Sequence, residues 1–148
     1  MPSPTLADRP IAAPYVLDKQ VGFILRQVYQ RHAALFAEHF GDDVTPMQWA
    51  AIAKLAETGA CSQNLLGRLT AMDVATIKGV VERLARRGLV ETRPDPTDRR
   101  RIVVSLTPAG HETFERMAPV AVAITDETLA PLGPTEREDL VQLLDRLR

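Results

Sequence analysis

The stretch Gly88-Leu-Val-Glu-Thr-Arg-Pro-Asp-Pro-Thr-Asp-Arg-Arg-Arg-Ile-Val-Val-Ser-Leu-Thr-Pro-Ala-Gly110 decides how the rest of the chain is read. Leu89–Arg93 and Arg101–Leu106 are two short β-like runs, the second rich in valine and isoleucine. Pro94-Asp95-Pro96-Thr97-Asp98 joins them as a proline-bearing turn, so the pattern is a hairpin. Its tip carries Arg99, Arg100 and Arg101 directly after Asp98, which can hold one arginine while another projects. A projecting arginine suits the electronegative minor groove of DNA, above all where A·T pairs narrow it. Three arginines on a solvated turn are unremarkable alone; the segment before them makes them specific.

Upstream of Gly88, Asp73 is an N-cap for a helix reaching about Arg87. Ile77, Val80, Val81 and Leu84 form one apolar stripe, away from Thr76, Lys78, Gly79, Glu82 and Arg83. Arg86 and Arg87 stand near the negative end of the helix dipole, and Gly88 is the stop. Before it, Ser62 caps a short helix with Leu65, Leu66 and Leu69 expected to face inward, and Thr70-Ala71-Met72 forms the link. A short helix, a tight turn, a second helix and a basic hairpin make a winged helix-turn-helix. Such a pair can present its second helix to a major groove about 12 Å wide. The candidate DNA contacts are Ser62, Gln63 and Asn64 at the first helix start, suited to phosphate. Thr70, Asp73, Thr76, Lys78 and Arg83 follow on the turn and second helix, then Arg99, Arg100 and Arg101 on the wing. The same helix pair also occurs in proteins that bind no DNA.

Further out, apolar residues Val21, Ile24, Leu25, Val28, Leu35 and Phe36 recur at helical spacing, placing a first helix at about Val16–Phe40. Thr45-Pro46-Met47-Gln48 is a capping-box start for a helix reaching about Glu57. Thr107-Pro108 opens a helix towards Leu129, which Pro119 is expected to kink or split. After the break at Leu132-Gly133-Pro134, a last helix opens at Thr135 with Leu140, Leu143, Leu144 and Leu147 on one side. The fold class is therefore mainly α with a small β-hairpin wing. The expected organisation is a flexible arm over residues 1–14 and one domain over 15–148, with the winged module at about 45–106 and dimerisation helices at 15–41 and 107–148.

Charge follows this division. The chain of 148 residues has net charge −1. Residues 62–106 hold 9 basic and 5 acidic side chains, net +4, between flanks of net −1 (1–61) and −4 (107–148). A local positive patch, not the global charge, attracts phosphates. No apolar run approaches the roughly 20 residues of a membrane span. Residues 1–14 lack the basic start and apolar block of a signal peptide. A single cysteine, Cys61, leaves no internal disulfide framework and fits a reducing cytoplasm.

The quoted stretch resembles the signature of the MarR family of bacterial regulators: a Gly-Leu-Val strand start, an Asp-x-x-Asp-Arg-Arg wing, and Leu-Thr-x-x-Gly leading into the next helix. The likeness extends from about Tyr15 to the C-terminus. It implies a homodimer built from the first and last helices, with Arg99 in the minor groove and Asp98 and Arg100 shaping the wing. Independently, the first and last helices present apolar stripes with no partner in so short a chain. A two-fold dimer would set its recognition helices roughly 34–36 Å apart, so the operator should be an inverted repeat of double-stranded DNA. Family resemblance further implies release by a small aromatic acid. Gln20–His32 and Cys61–Asp73 are similar to a subgroup that represses catabolism of aromatic or N-heteroaromatic acids, with 6-hydroxynicotinate as the effector in view.

Such an effector needs aromatic walls and convergent polar groups. The candidates are Phe23, Arg26, Tyr29, His32, Phe36 and His39 on the first helix, Met47, Gln48 and Trp49 on the second, and His111 on the fifth. Aromatics at helical spacing are more often core, and helix histidines are often merely hydrogen-bonded. The alternative is a redox-responsive regulator acting through Cys61, whose place before a helix N-terminus can lower a thiol pKa. No metal or other cofactor is expected: His32 and His39 lie about 10.5 Å apart along a helix, too far to share one zinc. No Cys-x-x-Cys, His-Glu-x-x-His, phosphate loop or nucleophile elbow is present, so no catalytic residue is assigned.

Overall fold

A computed structural model of the chain describes Met1, Ser3 and residues 5–148. Two units divide it, Met1–Arg31 and His32–Arg148, with the boundary inside the first long helix. In the first unit, the expected N-terminal arm lies partly outside the described residues, at Pro2 and Pro4. Its described part is exposed and carries one 3₁₀ turn, Leu6–Asp8, where the Asp8 carboxylate accepts the Thr5 N–H and hydroxyl. The first helix, α1, spans Val21–Phe40 rather than starting at Val16. A separate 3₁₀ turn occupies Leu17–Lys19, and extended Gln20 (φ −89°, ψ 130°) breaks the path between them.

In the second unit, α2 (Pro46–Thr58) starts at a reciprocal cap: the Gln48 N–H donates to Thr45 Oγ1 at 3.1 Å, and the Thr45 N–H donates to Gln48 Oε1 at 3.2 Å. Then comes a strand the periodicity did not signal. β1 is only Cys61–Ser62, paired antiparallel with β3 at Cys61↔Val104 and Ser62↔Val103. Two residues cannot display a period of two, and the pairing is tertiary. With β2 (Val90–Pro94) and β3 (Ile102–Leu106), it makes a three-stranded sheet in the order β1-β3-β2. The hairpin register runs from Val90↔Leu106 to Pro94↔Ile102.

The helix pair is α3 (Gln63–Leu69) and α4 (Val74–Arg86). On α3 only Leu66 and Gly67 are buried; Leu65 and Leu69, expected inside, are exposed. Leu66 alone of the three leucines enters the core shared with α2, α4 and β3, and Leu65 and Leu69 fall to either side of that buried face. Gly67 sets the closeness of that contact, since a Cβ there would stand 3.0 Å from Ile77 Cγ2 and 3.1 Å from the Met72 carbonyl oxygen. The turn is tightened by Ala71 in the left-handed region (φ 54°) and by Met72 N–H donating to the Gly67 carbonyl at 2.8 Å. Along α4, Ile77, Val80, Val81 and Leu84 are all buried as one stripe against Ile52, Leu55, Leu66 and Val104 in a common core.

Leu89 and Arg101 fall outside the strands they were expected to begin. Leu89 is a buried joint whose N–H donates to the Leu84 carbonyl and whose carbonyl accepts the Thr107 N–H. Helix α5 runs unbroken over Pro108–Thr128, so Pro119 does not split it. Proline removes one N–H and crowds one carbonyl, a local cost. Met117 and Ile124, buried on either side of Pro119, hold both halves on the core. At its start the Thr107 hydroxyl donates to the Gly88 carbonyl at 2.6 Å and accepts the Gly110 N–H at 3.1 Å. α6 begins at Pro134, one residue earlier than expected, because the Gly133 N–H reaches Glu136 Oε1 at 2.8 Å. It ends at Asp145 and buries no residue.

Candidate nucleic-acid interface

The wing tip is held from within. Asp95 Oδ1 accepts both the N–H and the hydroxyl of Thr97 at 2.8 Å, and these bonds hold its carboxyl below the usual range. Asp98 Oδ1 accepts the Arg100 N–H at 3.0 Å, while the Asp98 carbonyl accepts the Arg101 N–H at 2.9 Å. The side chain nearest Asp98 is that of Arg101, with Nε 3.8 Å from Oδ2. Asp98 thus meets Arg100 through its backbone rather than through its guanidinium. Arg99 is exposed and takes part in no ion pair among the described residues. Across the sheet, β1 brings Ser62, Gln63 and Asn64 beside Arg100, Arg101 and Ile102, where the six residues line one small cleft. Two candidate groups separated by almost 40 positions in sequence become neighbours through that two-residue strand.

On the helix pair, Ser62 Oγ accepts the Leu65 N–H at 3.1 Å and Asp73 Oδ1 accepts the Thr76 N–H at 2.7 Å. The Thr76 N–H, with the Thr76 hydroxyl, holds the Asp73 carboxyl below its ordinary value. Thr70 donates its hydroxyl back to the Leu66 carbonyl at 2.6 Å and is half-buried. Asn64, Lys78 and Arg83 are exposed, and Thr76 is half-exposed. Arg83 lies back over Gly79, with Nη1 3.7 Å from where a Cβ would stand. Two exposed residues on the same elements went unnamed in the sequence reading: Arg68 on α3, and Val74, 70% exposed in the first turn of α4. Val74 continues the spacing of Ile77, Val81 and Leu84, so the sequence pattern groups it with the apolar stripe and only its exposure sets it apart.

The proposed effector residues divide differently. In the unit of residues 1–31, Phe23 is half-buried and Arg26 and Tyr29 are exposed. In the other unit, Phe36 is buried and stacks on Phe40 with centroids 4.4 Å apart. Trp49 stands between Phe40 at 5.5 Å and Phe114 at 5.7 Å, half-buried. Gln48 is buried in its capping role, and neighbouring Met47 is exposed. His32 Nδ1 lies 2.8 Å from Thr128 Oγ1, and His39 Nε2 lies 2.8 Å from Glu127 Oε1. His111, exposed in the first turn of α5, is about 25 Å along that helix from Thr128 and is not gathered with the other two.

Cys61 is half-buried on β1, and burial pushes its thiol pKa up, opposed by the Thr58 hydroxyl. That is the reverse of an activated thiolate. Among the described residues no cluster of His, Cys, Asp or Glu is arranged to hold a metal ion. No helix of the described residues is long and apolar enough to cross a membrane.

A helix-turn-helix with a basic, internally braced wing at its side defines a DNA-binding transcriptional regulator of the winged-helix class. The comparisons take this further. The MarR family profile matches residues 42–101. The HTH-type transcriptional repressor NicR of Pseudomonas putida is 40% identical over 135 residues, covering 90% of this chain and 85% of NicR. A probable transcriptional regulator from Pseudomonas aeruginosa superposes with TM-score 0.87 at 57% identity, covering 90% of this chain and all of that one. BpsR of Bordetella bronchiseptica, whose DNA binding is regulated by 6-hydroxynicotinic acid, superposes with TM-score 0.88 at 41% identity, over 91% of this chain and 97% of its own. The chain belongs to the MarR family. It is a transcriptional regulator of that type, not an enzyme.

Proposed function

We propose that the chain is a homodimeric repressor that holds an inverted-repeat operator and releases it when a small aromatic or N-heteroaromatic acid binds, with 6-hydroxynicotinate as the first candidate. The observation that carries the DNA half is the juxtaposition of the α3 start with the braced wing, which aligns phosphate-binding groups with a projecting arginine. Helix α4 then enters the major groove while Arg99 reaches the flanking minor groove. Lys78, Arg83, Arg100 and Arg101 supply charge along the path.

The dimer reading rests on exposed apolar side chains near both ends of the chain. The early part of α1 exposes Val21, Ile24, Leu25 and Val28, and the C-terminal segment exposes Val141, Leu143, Leu144 and Leu147. Side chains of this size, repeated along one helix, mark an interface. The effector reading rests on the regulation of BpsR's DNA binding by 6-hydroxynicotinic acid and on the histidines and aromatics of α1, α2 and α5. An effector releases DNA only to the extent that it binds the DNA-incompetent state more tightly. A gel-shift on the gene's own upstream region, titrated with 6-hydroxynicotinate, benzoate and salicylate, tests this half. Displacement by the N-heteroaromatic acid at lower concentration than by the others is expected. A complex indifferent to all three overturns the effector assignment and leaves the DNA assignment standing.

A further inference from the structure

Arg87 belongs to the basic middle segment, yet its guanidinium is occupied. It stands at the C-cap of α4, where Nη1 donates to the Asp43 backbone carbonyl and lies 3.4 Å from Gln48 Oε1, while Nη2 reaches Asp43 Oδ1 at 3.1 Å. Asp43 turns its other carboxylate oxygen towards Arg116 of α5, 3.6 Å away. Gln48 is buried and fixed in the α2 cap, so the acceptors on that corner are rigid. One end of the recognition helix is thereby clasped to the corner between α1 and α2, with α5 held through the same aspartate.

The rest of α4 rests on an apolar stripe, and apolar contact is non-directional. The clasp is directional. A 13-residue helix is about 20 Å long, so a pivot of about 5° at its clasped end moves its reading end by about 1.7 Å. Base contacts tolerate about 0.5 Å. We propose that Arg87, with Asp43 as its acceptor, is a positioning residue for DNA recognition: it sets the angle of α4 and touches no phosphate. This rests on the DNA-binding reading above.

The sign of one substitution separates this from simple electrostatics. Removing the Asp43 carboxylate makes the surface more positive, which by charge alone tightens binding to DNA. The clasp requires the opposite. The test uses the full-length chain and a 30-base-pair duplex that the wild type selects from a random pool. Asp43→Ala and Arg87→Met are each expected to weaken binding about tenfold or more. The slope of log affinity against log salt should stay that of the wild type, where loss of a phosphate contact lowers it by about 0.9 per contact. The double variant should be no weaker than the worse single one, and Asp43→Asn, which keeps an acceptor oxygen, should recover part of the loss. Both partners are partly exposed, at 38% and 43%, so melting temperatures are expected within about 3 °C of wild type. Tighter or unchanged binding by Asp43→Ala, or a lowered salt slope in Arg87→Met, overturns the proposal. If the wild type selects no duplex at all, the DNA-binding reading falls and takes this inference with it.

Discussion

At the wing tip, Asp95 and Asp98 take the N–H groups of Thr97, Arg100 and Arg101, so the turn is braced by its own aspartates while the guanidinium groups of Arg99 and Arg100 stay exposed, outside any ion pair among the described residues. Asp98→Ala should therefore weaken DNA binding although it removes a negative charge, which affinity measurement against Arg99→Ala would check. Asp73 acts at the same scale on α4. Its carboxyl is held below its ordinary value of 3.8, chiefly by the Thr76 N–H. The cap is fully formed above that ordinary value and is lost as pH falls through the lower folded one. Denaturation in urea across an acid pH series should show this loss in the wild type. Asp73→Asn keeps a capping oxygen that does not titrate, so its acid dependence should be shallower; identical profiles would remove the role.

Among the elements, glycines at close approaches behave unlike glycines on open faces. A Cβ at Gly110 would overlap the Leu89 carbonyl oxygen, a backbone atom that cannot swing aside. Gly110→Ala is expected to cost about 3 kcal/mol or more, read from chemical denaturation. Gly79 meets only the tip of Arg83 at ordinary contact distance, so Gly79→Ala should stabilise the chain by up to about 1 kcal/mol through helix propensity. Most elements were legible in sequence because their signals are local: Thr45-Pro46 and Thr107-Pro108 open helices, and Ile77, Val80, Val81 and Leu84 repeat at helical spacing. What escaped was tertiary. Strand β1 exists only because β3 lies beside it, and Pro119 is tolerated only because the core holds α5 on both sides. The Asp43–Arg87 clasp joins residues 44 apart by side-chain reach, which no periodicity reports. For the candidate site, the wing and the α3 start are legible as local sequence patterns, whereas Val74 and Arg68 stand out only by their exposure.

For the whole molecule, basic side chains concentrate in residues 62–106 and exposed apolar side chains stand on α1 and the C-terminal segment, and the proposed two-fold reader of inverted repeats draws on both. Leu144→Glu with Leu147→Glu should shift the chain towards monomer in analytical ultracentrifugation and weaken operator binding with it; an unchanged dimer would move the interface elsewhere. That the wing makes this fold a DNA reader is tested most directly by fluorescence anisotropy of an inverted-repeat duplex titrated with wild type and with Arg99→Ala. We predict a salt-sensitive complex for the wild type and affinity about 10- to 100-fold lower for Arg99→Ala, with melting temperature and oligomeric state unchanged. Equal affinity of the two proteins for the duplex would contradict it.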